Sequence, residues 1–250
     1  EYDLKFKKFF LLDTFESTNN WDQLRSIALP NLNMLDGISH SANFDPLLPA
    51  RYARWMELIE GASGTKREVL LNLSGVSLVE IPDPEAPSGV QFLPVPGGER
   101  LRWFRCSAGS QTGEGAFDLI GGGEVAFDQI VVIEAIDGSS PGDCSADQAN
   151  LGWVEDSPNR LEVEVSSEAD GWLYIADTWY PGWEARLDGI PVELFRANYL
   201  FRAVEVPAGD HRVELLYDPD SFRIGAFVTL SSLSFLVLVL GIQFFKVRRP

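Results

Sequence analysis

Side chains able to hold a sugar or a phosphate crowd into one stretch of this 250-residue chain. Trp179-Tyr180-Pro181-Gly182-Trp183 is followed by Arg196-Ala197-Asn198-Tyr199 and then by Arg202. Aromatic faces stack on sugar rings, and Arg forks favour bidentate oxygen partners. Trp179, Tyr180, Trp183, Arg196, Asn198, Tyr199 and Arg202 are therefore the candidate binding residues, for a carbohydrate or for a protein partner. The same residue types have quieter uses. Trp and Tyr fill strand cores and membrane-interface belts, and Arg pairs with carboxylates. With Trp172 and Tyr174, five large aromatics fall within twelve positions, a density that core or belt use explains more simply than a sugar platform.

No pattern marks a catalytic centre. Ser63-Gly64-Thr65-Lys66 has SxxK spacing without companion motifs, in what reads as a loop between two helices, and HExxH, P-loop and GxSxG patterns are absent. Asn31, Asn33, Asp36, His40 and Asp45 form a polar cluster suited to turn building. His40 and His211 are the two histidines, so no metal-ligand set and no cofactor are expected. The 37 carboxylates single out no acid and base pair. Cys106 and Cys144 are the two cysteines. Bonded to each other outside the cytoplasm, they would close a loop of about 39 residues and stabilise by roughly 3–4 kcal/mol; otherwise they are two free thiols.

The charges place these residues relative to a membrane. All 37 acidic residues and 16 of the 20 Lys+Arg precede position 223, so residues 1–222 carry a net −21. Residues 224–245 are 22 positions without a charge, followed by Lys246, Arg248 and Arg249. At about 1.5 Å per residue such a helix reaches roughly 33 Å, enough to cross a hydrocarbon core of about 30 Å. The positive-inside bias puts the basic tail in the cytoplasm and the acidic body outside. An acidic body excludes nucleic acid as a partner. The opening Glu1-Tyr2-Asp3, without an initiator Met, is expected of a fragment or a processed product.

The elements that must position the candidate residues read as follows. Leu47, Leu48, Tyr52, Trp55, Met56 and Ile59 recur at helical spacing, which predicts a helix over 47–59. A second helix is expected from 69–73, running into a strand at 76–81, and Pro82, Pro84, Pro87 and Gly89 then break the pattern. Strands are expected at 101–106, 129–136, 160–165, 171–177, 183–187, 190–195, 199–206 and 211–217. Asp188-Gly189 is a type I′ hairpin pair, and the turn at 207–210 is expected to make the last three strands a meander. The fold class is thus mainly β. An antiparallel β-sandwich (86–222) follows a small α+β unit (1–85) and precedes a transmembrane helix (223–246) and a cytoplasmic basic tail (247–250).

Two blocks carry a family resemblance. One is Pro30-Asn31-Leu32-Asn33-Met34-Leu35-Asp36-Gly37-Ile38 with Phe44-Asp45-Pro46-Leu47 and Arg51-Tyr52. The other joins the aromatic stretch above to Asp188-Gly189, Phe201-Arg202, Pro207-Ala208-Gly209, His211 and residues 217–222 at the entry to the span. Together they resemble the C-terminal extracytoplasmic region and last membrane helix of YfhO-type bacterial membrane proteins, most closely over 177–225. The resemblance implies a GT-C-like glycosyltransferase architecture that moves sugars from polyprenyl-phosphate donors to cell-envelope acceptors. Its catalytic acidic residue lies in an early external loop, outside this sequence. The chain is then expected to contribute carbohydrate or acceptor recognition and packing, with no complete active site. The alternative is a single-span accessory subunit, whose Gly225, Ala226, Thr229, Ser231, Ser232 and Ser234 let a neighbouring helix approach. Expected partners are the lipid bilayer of the bacterial cytoplasmic membrane, other membrane helices and envelope glycans.

Overall fold

A computed structural model describes residues 49–83, 85–86, 90–122, 126, 129–138, 144 and 149–247. Helix α1 spans Ala50–Gly61 and opens behind Pro49, whose carbonyl accepts from Ala53 N–H. It buries Trp55 and Ile59, four residues apart on one face. Helix α2 spans Gly64–Leu73 and starts well before the expected position. Ser63 stands at its N-cap in extended backbone, so the Ser63 to Lys66 stretch forms the helix start and not a loop. Gly75 ends the helix with φ 66°, and an added Cβ there would meet that of Ala176 at 3.0 Å. The antiparallel hairpin of β1 (Leu78–Pro82) and β2 (Val90–Pro94) follows.

The remaining strands build two sheets. In the six-stranded sheet the order is β3 (Leu101–Phe104), β8 (Gly171–Ile175), β12 (Phe201–Val206), β11 (Phe195–Ala197), β5 (Ile130–Glu134) and β4 (Cys106–Ser110). Its pairings are antiparallel except β4–β5, which helix α3 (Gly113–Gly122) joins as a parallel pair. The five-stranded sheet is antiparallel throughout. Its order is β10 (Ile190–Val192), β9 (Trp183–Leu187), β13 (Gly209–Tyr217), β7 (Arg160–Ser167) and β6 (Asn150–Ser157).

The sandwich core lies between these sheets. Val163, Val165, Leu173, Ile175, Val204, Val206, Val213 and Leu215 fill it. Alternation along β8 sends Leu173 and Ile175 into this core and Trp172 and Tyr174 to the opposite face. There, α1, α2 and α3 supply Trp55, Ile59, Leu70, Leu73, Ala116 and Ile120 to a second core. The result is three layers, helices over sheet over sheet, with the middle sheet buried on both faces.

A further expectation is corrected. The last strands do not form a meander, because β12 belongs to the six-stranded sheet and β13 to the five-stranded one. Val204 and Val206 must face Val213 and Leu215 across the sandwich core, so the corner at Pro207-Ala208 carries the chain between layers. The expected unit boundary at 85/86 falls on described residues flanked by positions 84 and 87–89, which lie outside the described residues, as does the polar cluster at 31–45.

Helix α4 spans Asp220–Val247, three residues earlier than the expected span. Over Asp220–Leu238 its mean hydropathy is 1.6 and none of that stretch is buried against the rest of the protein. A helix of 28 residues is about 42 Å long, which exceeds a hydrocarbon core. Only Asp218 and Pro219 separate it from the end of β13.

Candidate functional site

The loop 176–182 carries the chain from β8 in one sheet to β9 in the other, and most of the candidate residues converge there. Trp179 N–H donates to Leu200 O at 2.7 Å and its indole Nε1–H to Leu194 O at 3.2 Å. Gly182 adopts φ 101°, and a Cβ there would meet Pro219 at 2.9 Å. Such a fit requires glycine for both backbone and space. Asp218 N–H donates to Gly182 O at 2.8 Å, and Trp183 lies opposite Tyr217 with ring centroids 5.3 Å apart. The Trp-Tyr-Pro-Gly-Trp loop is thus fastened to the last two residues before α4.

Arg202 is buried beneath this loop. Its Nε and Nη2 both donate to Thr178 O, at 3.0 and 2.9 Å, and its guanidinium lies 4.1 Å from the Trp183 ring centroid. Asp177 is 3.8 Å away, but Arg100 already grips that carboxylate through two bonds of 2.8 Å. Burial without a close carboxylate of its own lowers the Arg202 pKa to about 10. Arg100 reaches also to Asp156 at 2.7 Å and covers Trp153 at 4.8 Å.

A second group gathers around Glu134 and the start of α1. Arg196 lies 4.0 Å from the Trp179 ring centroid and 3.4 Å from Glu134. Arg51 of α1 bonds the same carboxylate and donates to Tyr199 O at 2.9 Å. Burial first, and the nearby Arg51 charge second, lower the pKa of Arg196. The Tyr199 ring is enclosed by Phe117 at 4.8 Å and Arg51 at 4.7 Å. Asn198 is fully buried with φ 44°; its Oδ1 accepts from Val132 N–H at 2.8 Å and its own N–H donates to Val132 O at 2.7 Å. The side chain therefore extends the β11–β5 ladder where the backbone turns away.

The seven expected residues thus fall into two pairs and three single residues. Arg196 caps Trp179 and Arg202 caps Trp183; Asn198 and Tyr199 are structural, and Tyr180 alone points to solvent among them, at 54% exposure. Two tryptophan faces that could have stacked on sugars carry guanidiniums instead. Arg51, Arg100, Asp177 and Glu134 complete the arrangement and were not legible as partners, because their contacts span 62 to 148 residues.

Elsewhere Cys106 and Cys144 form a disulfide with Cα atoms 5.5 Å apart. Asp188, at φ 52° in the β9–β10 turn, accepts from Arg212 N–H at 2.8 Å and contacts His211 Nδ1 at 2.7 Å. No group of three or more His, Cys, Asp or Glu among the described residues has metal-binding geometry.

Comparison with known proteins points to a bacterial membrane-protein family. Residues 145–229, from just before β6 into the first turns of α4, match the family described as bacterial membrane protein YfhO. The chain is also 29% identical over 100 residues to the uncharacterized protein YfhO of Bacillus subtilis (strain 168). That alignment covers 40% of this chain and 11% of the relative, so the chain spans a small part of that protein's length. No solved structure gives a significant match.

Proposed function

We propose that this YfhO-type membrane chain is the anchored extracytoplasmic module of a larger GT-C-like glycosyltransferase, bracing that assembly at the bilayer surface and contributing acceptor recognition without bond-making. The observation that carries the reading is the neck. A two-residue link joins the sandwich to α4, and Gly182 and Trp183 clamp it. So short and fastened a connection transmits the position of the membrane helix to the whole sandwich. A disulfide between Cys106 and Cys144 suits an oxidising compartment, and Lys246, Arg248 and Arg249 after the apolar stretch favour a cytoplasmic C-terminus.

Recognition falls to what the arginine and aromatic pairs leave open. The Arg196 side chain keeps 24% exposure over the face of Trp179, so its remaining N–H groups can reach sugar hydroxyls beside the ring. Binding of envelope glycan fragments to the full chain in detergent tests this. Arg196→Ala should weaken binding by about tenfold, the loss of one charge-assisted hydrogen bond. Unchanged affinity in both Arg196→Ala and Trp179→Ala would remove recognition from the proposal and leave the bracing role.

An accessory-subunit role is the second reading, favoured by the small and hydroxyl residues of α4. Ser232 and Ser234 donate back to Val228 O and Leu230 O, each at 2.8 Å, so their hydroxyls are satisfied inside the helix and leave its surface smooth. Purification as a lone monomer from mild detergent would rule that reading out.

A further inference from the structure

Strand direction locates a group of exposed apolar residues at the end of the sandwich nearest α4. β13 runs toward the helix and ends at Tyr217. Its register therefore assigns Trp183 of β9 and Arg160 of β7 to the same end, and Tyr217 N–H donates to Asn159 O at 2.9 Å. In the other sheet this end is marked by Ile175, the following loop to Gly182, and Leu101, which pairs with Ile175. Arg100 carries the mark one step further, since its carbonyl accepts from Ala176 N–H at 2.8 Å and its guanidinium holds Asp177. The β1–β2 hairpin starts from this spot: Gly75 abuts Ala176 and Arg100, and Val95 N–H donates to Ser77 O at 2.8 Å.

That hairpin is an unusual object to leave in water. Directly opposed residues share a face, so one face carries Leu78, Pro82, Val90, Phe92 and Pro94 around Glu80, and the other Val79, Ile81 and Leu93 beside Gln91. Leu78, Phe92 and Leu93 are 57%, 42% and 40% exposed, and no hairpin residue enters either core among the described residues. A two-stranded hairpin with apolar side chains on both faces is marginal unless something covers it.

The distance to the membrane indicates the cover. Five residues lie between Asp218, bonded to Gly182, and Ile224, the first of the uncharged stretch. With Asp218 and Pro219 outside the helix and the rest rising about 1.5 Å per residue, that is about 9–13 Å. A headgroup layer is roughly 5–7 Å deep on each side of the hydrocarbon. Gly182, and Tyr180 two residues before it, therefore stand just beyond the outer edge of the headgroups, within reach of a tyrosine side chain. The hairpin of five-residue strands, about 17 Å long, starts from the same end.

We propose that this end of the sandwich is a second membrane contact, in which Tyr180 and the hairpin residues Leu78, Phe92 and Leu93 lie in the headgroup layer of the bilayer that α4 crosses. The proposal rests on the membrane anchoring argued above. Exposed Asp218 and Asp220 beside Arg223 give this end no cationic patch. The contact is accordingly apolar and aromatic, and independent of anionic lipid. It fixes the sandwich in two directions, where a single helix would leave it free to swivel about its axis.

Depth measurements on the full chain in phosphatidylcholine vesicles test the proposal. A fluorescent label is placed singly by Tyr180→Cys, Phe92→Cys, Ala208→Cys at the far turn, or Leu236→Cys within α4; the native cysteines are bonded to each other and do not react. Shallow lipid nitroxides should quench the Tyr180→Cys and Phe92→Cys labels at least about threefold more than the Ala208→Cys label, as expected for side chains buried about 5–10 Å into the boundary. Iodide should quench them less, and added anionic lipid should change neither result. Labels at both sites that behave like the one at 208 would overturn the proposal. So would labels shielded from both quenchers, since protein would then be the cover. If the Leu236→Cys label escapes lipid quenching, the anchoring itself fails; if it is quenched and the other two are not, only the second contact fails.

Discussion

Replacing Arg202 by Lys would keep the charge and lose the fork that bonds Thr178 O twice above the Trp183 ring. An ammonium on a flexible stem cannot reproduce both bonds and the stacking. Arg202→Lys should cost about 1.5–3 kcal/mol in chemical unfolding, the range for bonds to a charged group. Asn198→Ala orphans the buried Val132 N–H and puts a Cβ without polar compensation at positive φ. A loss of about 2–4 kcal/mol is expected, from roughly 1–3 for the orphaned donor and about 1 for the backbone. His211 gives a pH signature. Its two ring nitrogens face only acceptors, Asp188 Oδ2 at 2.7 Å and Ala208 O at 3.3 Å, so the imidazolium satisfies both. The Asp188 bond foremost raises the His211 pKa above 6.5, with Asp210 adding to it. The stabilisation is complete below pH 6.5 and is lost as pH rises through the raised folded value. Asp188, held below 3.8 chiefly by His211, contributes above that pH and loses its share as pH falls through its lowered value. In a His40→Gln background, the imidazole NMR titration of His211 should move down toward 6.5 in Asp188→Asn; an unmoved midpoint would refute the pairing. These residue types were visible in the sequence. Their partners were not, because the bonds of Arg51 and Arg202 close over 148 and 24 residues.

Among the elements, those with a local signal were legible and those defined by tertiary pairing were not. Trp183–Leu187 was bounded to the residue, because Gly182 opens it and the Asp188-Gly189 turn closes it. β7 alternates Leu161, Val163 and Val165 against charged neighbours and was equally plain over its first part. β6 escaped notice since it is an edge strand, mostly exposed, with no buried face to write an apolar rhythm. α3 escaped because four of its ten residues are Gly, and only Ala116 and Ile120 mark its buried side. The assignment of β12 and β13 to different sheets depends on which faces meet across the core, and a turn motif does not encode that. The disulfide acts at this scale. It ties the first residue of β4 to the chain after β5, across a sequence separation of 38. Reduction, or Cys106→Ser with Cys144→Ser, should lower unfolding stability by about 3–4 kcal/mol through the freed loop. A denaturant midpoint indifferent to reductant would contradict it.

Taken whole, the molecule joins a strongly acidic three-layer body to an apolar helix through a neck two residues long. Composition made the asymmetry plain, since the uncharged stretch and the basic residues after it are contiguous in sequence. The clamp could not be read the same way, because it unites residue 182 with residue 218 and residue 183 with residue 217. Loosening it should separate anchoring from folding. Gly182→Val cannot keep φ 101° or its fit against Pro219, and should destabilise the body by more than about 1 kcal/mol while leaving the chain resistant to extraction from membranes by alkaline carbonate. Release of the variant into the carbonate supernatant would show that the neck, and not α4, retains the chain in the membrane. The claim on which the whole account turns is that α4 anchors a body lying outside the cytoplasm. Gly152→Cys, exposed on β6 with open space around its Cβ, supplies a reporter for a membrane-impermeant maleimide in intact spheroplasts. Labelling before lysis, equal in extent to labelling after it, is the predicted result; labelling that appears only once the membrane is broken would contradict the account.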